Sequence, residues 1–71
     1  MSKKITVKTS SGNKYYKISE ISGSYKCSIN NGEVFFETWT EIGKAKHFED
    51  ALLIIKSHAT KYGSVLKTDI D

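Results

Sequence analysis

The chain has no arginine and no proline, a single cysteine, and no apolar run longer than five residues. Each absence removes something. Arginine's planar fork is the usual instrument for bidentate reading of bases and phosphates. All eleven basic residues here are lysines, so sequence-specific reading of DNA is disfavoured. One cysteine, Cys27, excludes an intramolecular disulfide and a cysteine-based metal site, and a lone thiol suits a reducing compartment. The longest apolar stretch, Ala51-Leu52-Leu53-Ile54-Ile55, is far shorter than the roughly 20 residues of a membrane span. Met1-Ser2-Lys3-Lys4 leads into alternating residues rather than an apolar block, so no secretory signal is expected. The expectation is a cytoplasmic protein that makes no use of a membrane.

What is present is small and electrically uneven. Seventy-one residues accommodate one domain, which buries only about 60% of the surface its unfolded chain exposes. Such a domain is marginally stable and has no spare core for a deep substrate pocket, which argues against an enzyme. The formal net charge is +3, but its halves differ. Residues 1–31 carry six lysines and one acid, a net +5, whereas residues 32–71 carry five lysines and seven acids, a net −2.

With proline absent, glycines punctuate the chain at positions 12, 23, 32, 43 and 63. The first four are spaced as expected for short strands joined by turns, and the last gap leaves room for a helix. Strands are predicted over about 3–10, 15–21 and 25–30, with Ile5, Val7, Tyr16, Ile18, Tyr25, Cys27 and Ile29 on the inward side by alternation. Asn30-Asn31-Gly32 holds an Asn-Gly pair, the strongest short-range hairpin signal, so a fourth strand is predicted over about 33–42. Placing Glu37 and Glu41 in the core is expensive. Val34, Phe36, Thr38, Thr40 and Ile42 are therefore expected inward, and Phe35, Glu37, Trp39 and Glu41 outward.

Phe48, Ala51, Leu52, Ile55, Ala59 and Tyr62 recur at helical spacing and predict one helix over about 48–62. Its start carries Glu49 and Asp50, which suit the positive helix end, but His47 stands where Ser, Thr or Asp is preferred. Gly63 is the expected left-handed stop. Residues 64–70 are long enough to return as a short fifth strand. The expected fold is α+β: an antiparallel four-stranded meander, extended to five if the C-terminal segment pairs, with one helix packed on one face. This architecture is similar to several small-domain types, among them integrase arm-binding and double-stranded-RNA-binding-like folds, antitoxin halves and phage-encoded inhibitors. Gly43–Leu52 resembles the strand-to-helix junction of many of them, over ten residues and without singling out a family. Fold alone does not transfer function.

No spacing supports chemistry. His47 and His58 stand eleven residues apart, about 16 Å along a helix, and cannot share a metal within it. Cys27 is expected as a small buried hydrophobe rather than a nucleophile. No phosphate-cradling glycine loop or metal spacing occurs. Catalytic residues, metal ligands and cofactors are all expected to be absent.

One helix covers one sheet face, so the other is the first candidate surface. There Lys4, Lys8, Lys17 and Lys26 are placed to hold a phosphate backbone, with Tyr15, Phe35 and Trp39 as stacking or wedging aromatics. The bland reading of the same lysines is solubilisation and protection of sheet edges. The second candidate is a protein-binding surface, formed by Phe35, Glu37, Trp39 and Glu41 or by the helix surface around the outward Leu53, with Lys56 beside it and Ile54 at the edge of the apolar stripe. In size, absence of catalytic motifs and uneven charge the chain resembles phage and mobile-element accessory proteins that act as inhibitors or regulators. The sequence therefore points to a non-enzymatic binding module, monomeric or weakly dimeric. Nucleic acid bound with little sequence specificity is its first expected partner, and a protein the alternative.

Overall fold

A computed structural model describes residues 2–33 and 35–71. Five strands form one antiparallel sheet: β1 (Ser2–Thr9), β2 (Gly12–Ile21), β3 (Ser24–Asn30), β4 (Trp39–Ala45) and β5 (Val65–Ile70). Their order across the sheet is β4-β3-β2-β1-β5, so the C-terminal segment does return, beside β1. A single helix, α1 (Phe48–Ala59), lies on one face and ends in a 3₁₀ turn at Thr60–Tyr62. The class is α+β, as expected.

The core follows from alternation on three strands and a stripe on the helix. Ile5, Val7, Tyr16, Ile18, Cys27 and Ile29 project from one sheet face and close over Ala51, Ile55 and Ala59. Two alanines on the buried stripe let α1 approach the sheet closely. Gly43 allows the same from below, since a Cβ there would lie 3.1 Å from Ile54 Cγ2. A strand glycine at a point of close approach is a recurrent solution, and it explains why β4 continues through Gly43 instead of stopping at it. The Cys27 thiol donates to the Ala51 carbonyl at 3.4 Å. Burial, and secondarily Glu41, push its pKa up, which keeps it a thiol.

Two expectations about the middle of the chain fail. Two-residue hairpins form at Ser10-Ser11 and at Ser22-Gly23, not at Asn31-Gly32. Ser22 (φ 51°) and Gly23 (φ 79°) both take positive φ, the requirement of a type I′ turn. Asn30 instead caps a wider loop: its Oδ1 accepts the amide N–H groups of Gly32 and Thr38, and Asn31 N–H donates to the Thr38 carbonyl at 2.7 Å. The fourth strand therefore begins at Trp39 rather than near residue 33. Phe36, expected inward, is 78% exposed, and Phe35 stands in the same loop. Val34 lies outside the described residues. The second failure is one of phase. Cys27 pairs with Gly43 but Ser28 with Glu41, so Ile42 is the extra residue of a bulge. Ile42 still packs on the core, whereas Thr40, expected inward, is exposed.

A tyrosine–histidine hydrogen bond is built into the core. The Tyr16 ring is fully buried, and its hydroxyl meets His58 Nδ1 at 3.0 Å. Burial, with Tyr62 as a lesser cause, pushes the Tyr16 pKa up to about 12, so the phenol keeps its proton and donates. Burial and then Lys61 hold His58 below its ordinary value of 6.5, so it accepts as a neutral ring. The unfolded chain thus takes up a proton at His58 before the folded one does. Stability is present above pH 6.5 and is lost as pH falls through the depressed folded value. The urea midpoint is expected to fall between pH 7 and 5 in the parent and to fall less in His58→Gln. Equal slopes in the two proteins contradict this assignment.

Candidate binding face of the sheet

The helix leaves one sheet face without a covering element, and strand register converts its residues into rows. Ser2, Ser19, Lys26 and Lys44 are aligned across four strands. The next row is Lys4, Lys17, Ser28 and Glu41. Then come Asp69, Thr6 and Tyr15; one further step of the β2–β3 register sets Tyr15 beside Asn30, which pairs with Trp39. The last row is Lys67, Lys8 and Asn13. An aromatic and polar row thus runs between two lysine-bearing rows.

Three directly opposed pairs on this face are lysine against lysine: Lys4 with Lys17, Lys8 with Lys67, and Lys26 with Lys44. Like charges opposite one another destabilise a sheet, by some tenths to about 1 kcal/mol per pair. Some of this repulsion is relieved within the chain. The Lys4 ammonium turns to Glu37 at 3.2 Å, and that of Lys67 to Asp69 at 3.5 Å. Lys17 Nζ sits 4.6 Å from the centroid of the Trp39 ring, a cation–π contact. Ser28, on the strand between Lys17 and Trp39, is only 3% exposed. Among the described residues Lys8, Lys26 and Lys44 have no carboxylate within ion-pair distance.

The candidate residues divide accordingly. Lys4, Lys8, Tyr15, Lys17, Lys26 and Trp39 share the uncovered face, with Trp39 half-buried. Phe35 does not join them: it is 90% exposed in the loop before β4, because the Asn30 cap holds that segment out of the sheet. Glu37 is also a loop residue, but it reaches back to Lys4. Glu41 is on the sheet, opposite Ser28. On the helix, Leu53 and Lys56 are exposed, whereas Ile54, expected at the edge of the apolar stripe and as a partner contact beside Leu53, is half-buried and packs over Gly43. Lys44 and Lys67 also belong to the face, although sequence reasoning does not place them there. The bulge at Ile42 hides the phase of Lys44, and Lys67 acquires a face only once β5 pairs with β1. His47 and His58 share no site, and no group of three His, Cys, Asp or Glu residues able to hold a metal occurs among the described residues. None of the described helices is long and apolar enough to cross a membrane.

Comparison with family models, curated proteins and solved structures finds no significant match to this chain. Any functional reading therefore rests on the geometry of the face.

If the opposed lysines repel, Lys26→Gln and Lys44→Gln are each stabilising by some tenths to about 1 kcal/mol at low salt, and the gain fades as salt screens the pair. Chemical denaturation at two ionic strengths measures this. Destabilisation by both substitutions contradicts it.

Proposed function

We propose that this protein is a non-enzymatic module that binds single-stranded nucleic acid on the uncovered face of its sheet, with little sequence specificity. The observation that carries the reading is the arrangement of that face: six lysines in three directly opposed pairs, of which Lys4–Lys17 and Lys8–Lys67 flank a row that contains Tyr15 and Trp39, and Lys26–Lys44 lies one row beyond. A sheet that retains opposed like charges retains a destabilising feature, and a polyanion laid across it turns each repulsive pair into two attractive contacts. Lysine suits this task, since it meets phosphate as a point charge and imposes no base pattern. Tyr15 and Trp39 supply faces on which any base stacks.

A second reading rests on a different element. Phe35 and Phe36 are both strongly exposed in the loop before β4, beside Glu33 and Glu37. Adjacent exposed aromatics among acids suit a basic, apolar-pocketed protein partner. Leu53 and Lys56 on α1 add a separate, smaller patch. Phe35→Ser/Phe36→Ser separates the readings, because it spares the lysine face entirely.

Titration of an unstructured oligonucleotide at several salt concentrations tests the first reading. Affinity is expected to fall log-linearly with salt, and replacing Lys8 or Lys26 by glutamine lowers the slope by about 0.7 for each phosphate no longer neutralised. Trp39→Ala is expected to weaken binding by about 1–3 kcal/mol, and Phe35→Ser/Phe36→Ser to leave it unchanged. Absence of binding at low salt removes the proposal.

A further inference from the structure

The uncovered face is not flat. A cleft of about 390 Å³ opens over its aromatic row, bordered by Thr6, Tyr15, Asn30, Trp39 and Asp69, with Lys4 and Glu37 across one side. Its volume falls at the small end of the roughly 300–1,000 Å³ typical of small-ligand sites. We infer that this cleft receives a single guanine base, carried by a mononucleotide or by an unstacked position of a single strand. The inference rests on the nucleic-acid reading of the face and names what its central row selects.

Three observations converge on guanine. The first is the platform. Tyr15 and Trp39 both border the cleft, and Lys17, which covers part of the Trp39 ring, does not border it. Base–aromatic stacking is a strong and sequence-tolerant source of affinity, so it attracts a base without choosing one.

The second observation is the carboxylate. Glu37 is brought from the loop to the cleft by Lys4, which bonds its Oε2 at 3.2 Å. Guanine presents two adjacent donors, N1–H and N2–H₂, on its Watson–Crick edge. A carboxylate accepts both in the same two-pronged geometry it uses with a guanidinium. Adenine and cytosine each present a ring nitrogen acceptor on that edge, which a carboxylate repels. Uracil and thymine offer one donor between two acceptors. Asp69, which is also paired with Lys67, and Asp71 add further acceptor-only groups to the lining.

The third is Asn30. Its Oδ1 is occupied by the amide N–H groups of Gly32 and Thr38, which fixes the side-chain amide and leaves Nδ2 as the group that a ligand meets. A donor and a carboxylate lining one cleft complement guanine, whose O6 acceptor adjoins its two donors. Lysines in the rows on either side stand where phosphates leading to and from the base would pass.

The test follows Trp39 fluorescence at low salt. The titrants are the monophosphates of guanosine, inosine, adenosine, cytidine and uridine, an oligothymidylate, and the same oligothymidylate with one central guanine. The strand with guanine is expected to bind about tenfold more tightly than the strand without it. Among monophosphates the guanosine form binds most tightly, and the inosine form, which lacks the N2 amino group, binds more weakly. Glu37→Gln abolishes the guanine preference but keeps salt-dependent binding of the plain strand. If guanosine monophosphate matches the guanine strand in affinity, the free nucleotide is the source; if only the strand binds, a single-stranded nucleic acid is. Salt-dependent binding of both strands with equal affinity overturns the cleft assignment and leaves the lysine face standing. Failure of every oligonucleotide and nucleotide to bind overturns both. Measurable but equal binding of the guanosine and inosine forms, or guanine preference retained in Glu37→Gln, also overturns the cleft assignment.

Discussion

A twelve-residue helix spans about 18 Å, and five strands at about 4.8 Å spacing set the outer two about 19 Å apart. The described residues form one such helix and one such sheet, enough to cover one sheet face. Much else in the molecule follows from that constraint. The covered face takes nearly all of the aliphatic residues placed by alternation, and the small residues Ala51, Ala59 and Gly43 let a single helix approach closely enough to bury them. Thr9 and Ser28 are the buried residues outside the apolar set. The buried polar contact between Tyr16 and His58 sits where the helix passes over β2, and it is fully paired.

The uncovered face has the opposite economy. It carries lysines directly opposite lysines, and it relieves them with whatever lies nearby: a loop carboxylate for Lys4, an indole ring for Lys17, a neighbouring aspartate for Lys67. In a marginal small domain each repulsive cross-strand pair puts about a tenth of the stability at stake. Under the proposed function the arrangement is a binding surface whose energetic complement is an anion. On this view the Glu37 side chain has two roles. It neutralises Lys4 in the free protein, and it supplies the acceptor edge of the cleft above Tyr15 and Trp39.

The boundary between what the sequence makes legible and what it hides is physical. Alternation locates β1, β2 and β3 and their inward residues, because one face of each is buried and period two is then enforced. The helix is legible from its stripe, and Gly63, at φ 135°, does stop the chain after the 3₁₀ turn. The lysines of β1, β2 and β3 are legible by the same alternation. The loop before β4 is not. Its course is decided by one side-chain oxygen, Asn30 Oδ1, taking two amide protons, and a local hydrogen bond of this kind competes with the hairpin that Asn-Gly otherwise favours. A bulge shifts phase by one residue without leaving a signature in composition, which hides Lys44. The rows, and with them the cleft, depend on the register between strands far apart in sequence, such as Thr6 with Asp69, and no local pattern encodes that.

The central claim is that the uncovered sheet face, and not the helix or the loop tip, is the working surface. It is tested most directly by titrating a short single-stranded oligonucleotide into isotope-labelled protein and mapping amide and indole chemical-shift changes residue by residue. Saturable changes are expected at Lys4, Thr6, Lys8, Tyr15, Lys17, Lys26 and the Trp39 indole, with the exposed helix positions Leu53 and Lys56 unmoved. Changes confined to Leu53 and Lys56, or to Phe35 and Phe36, or no changes at low salt, contradict it.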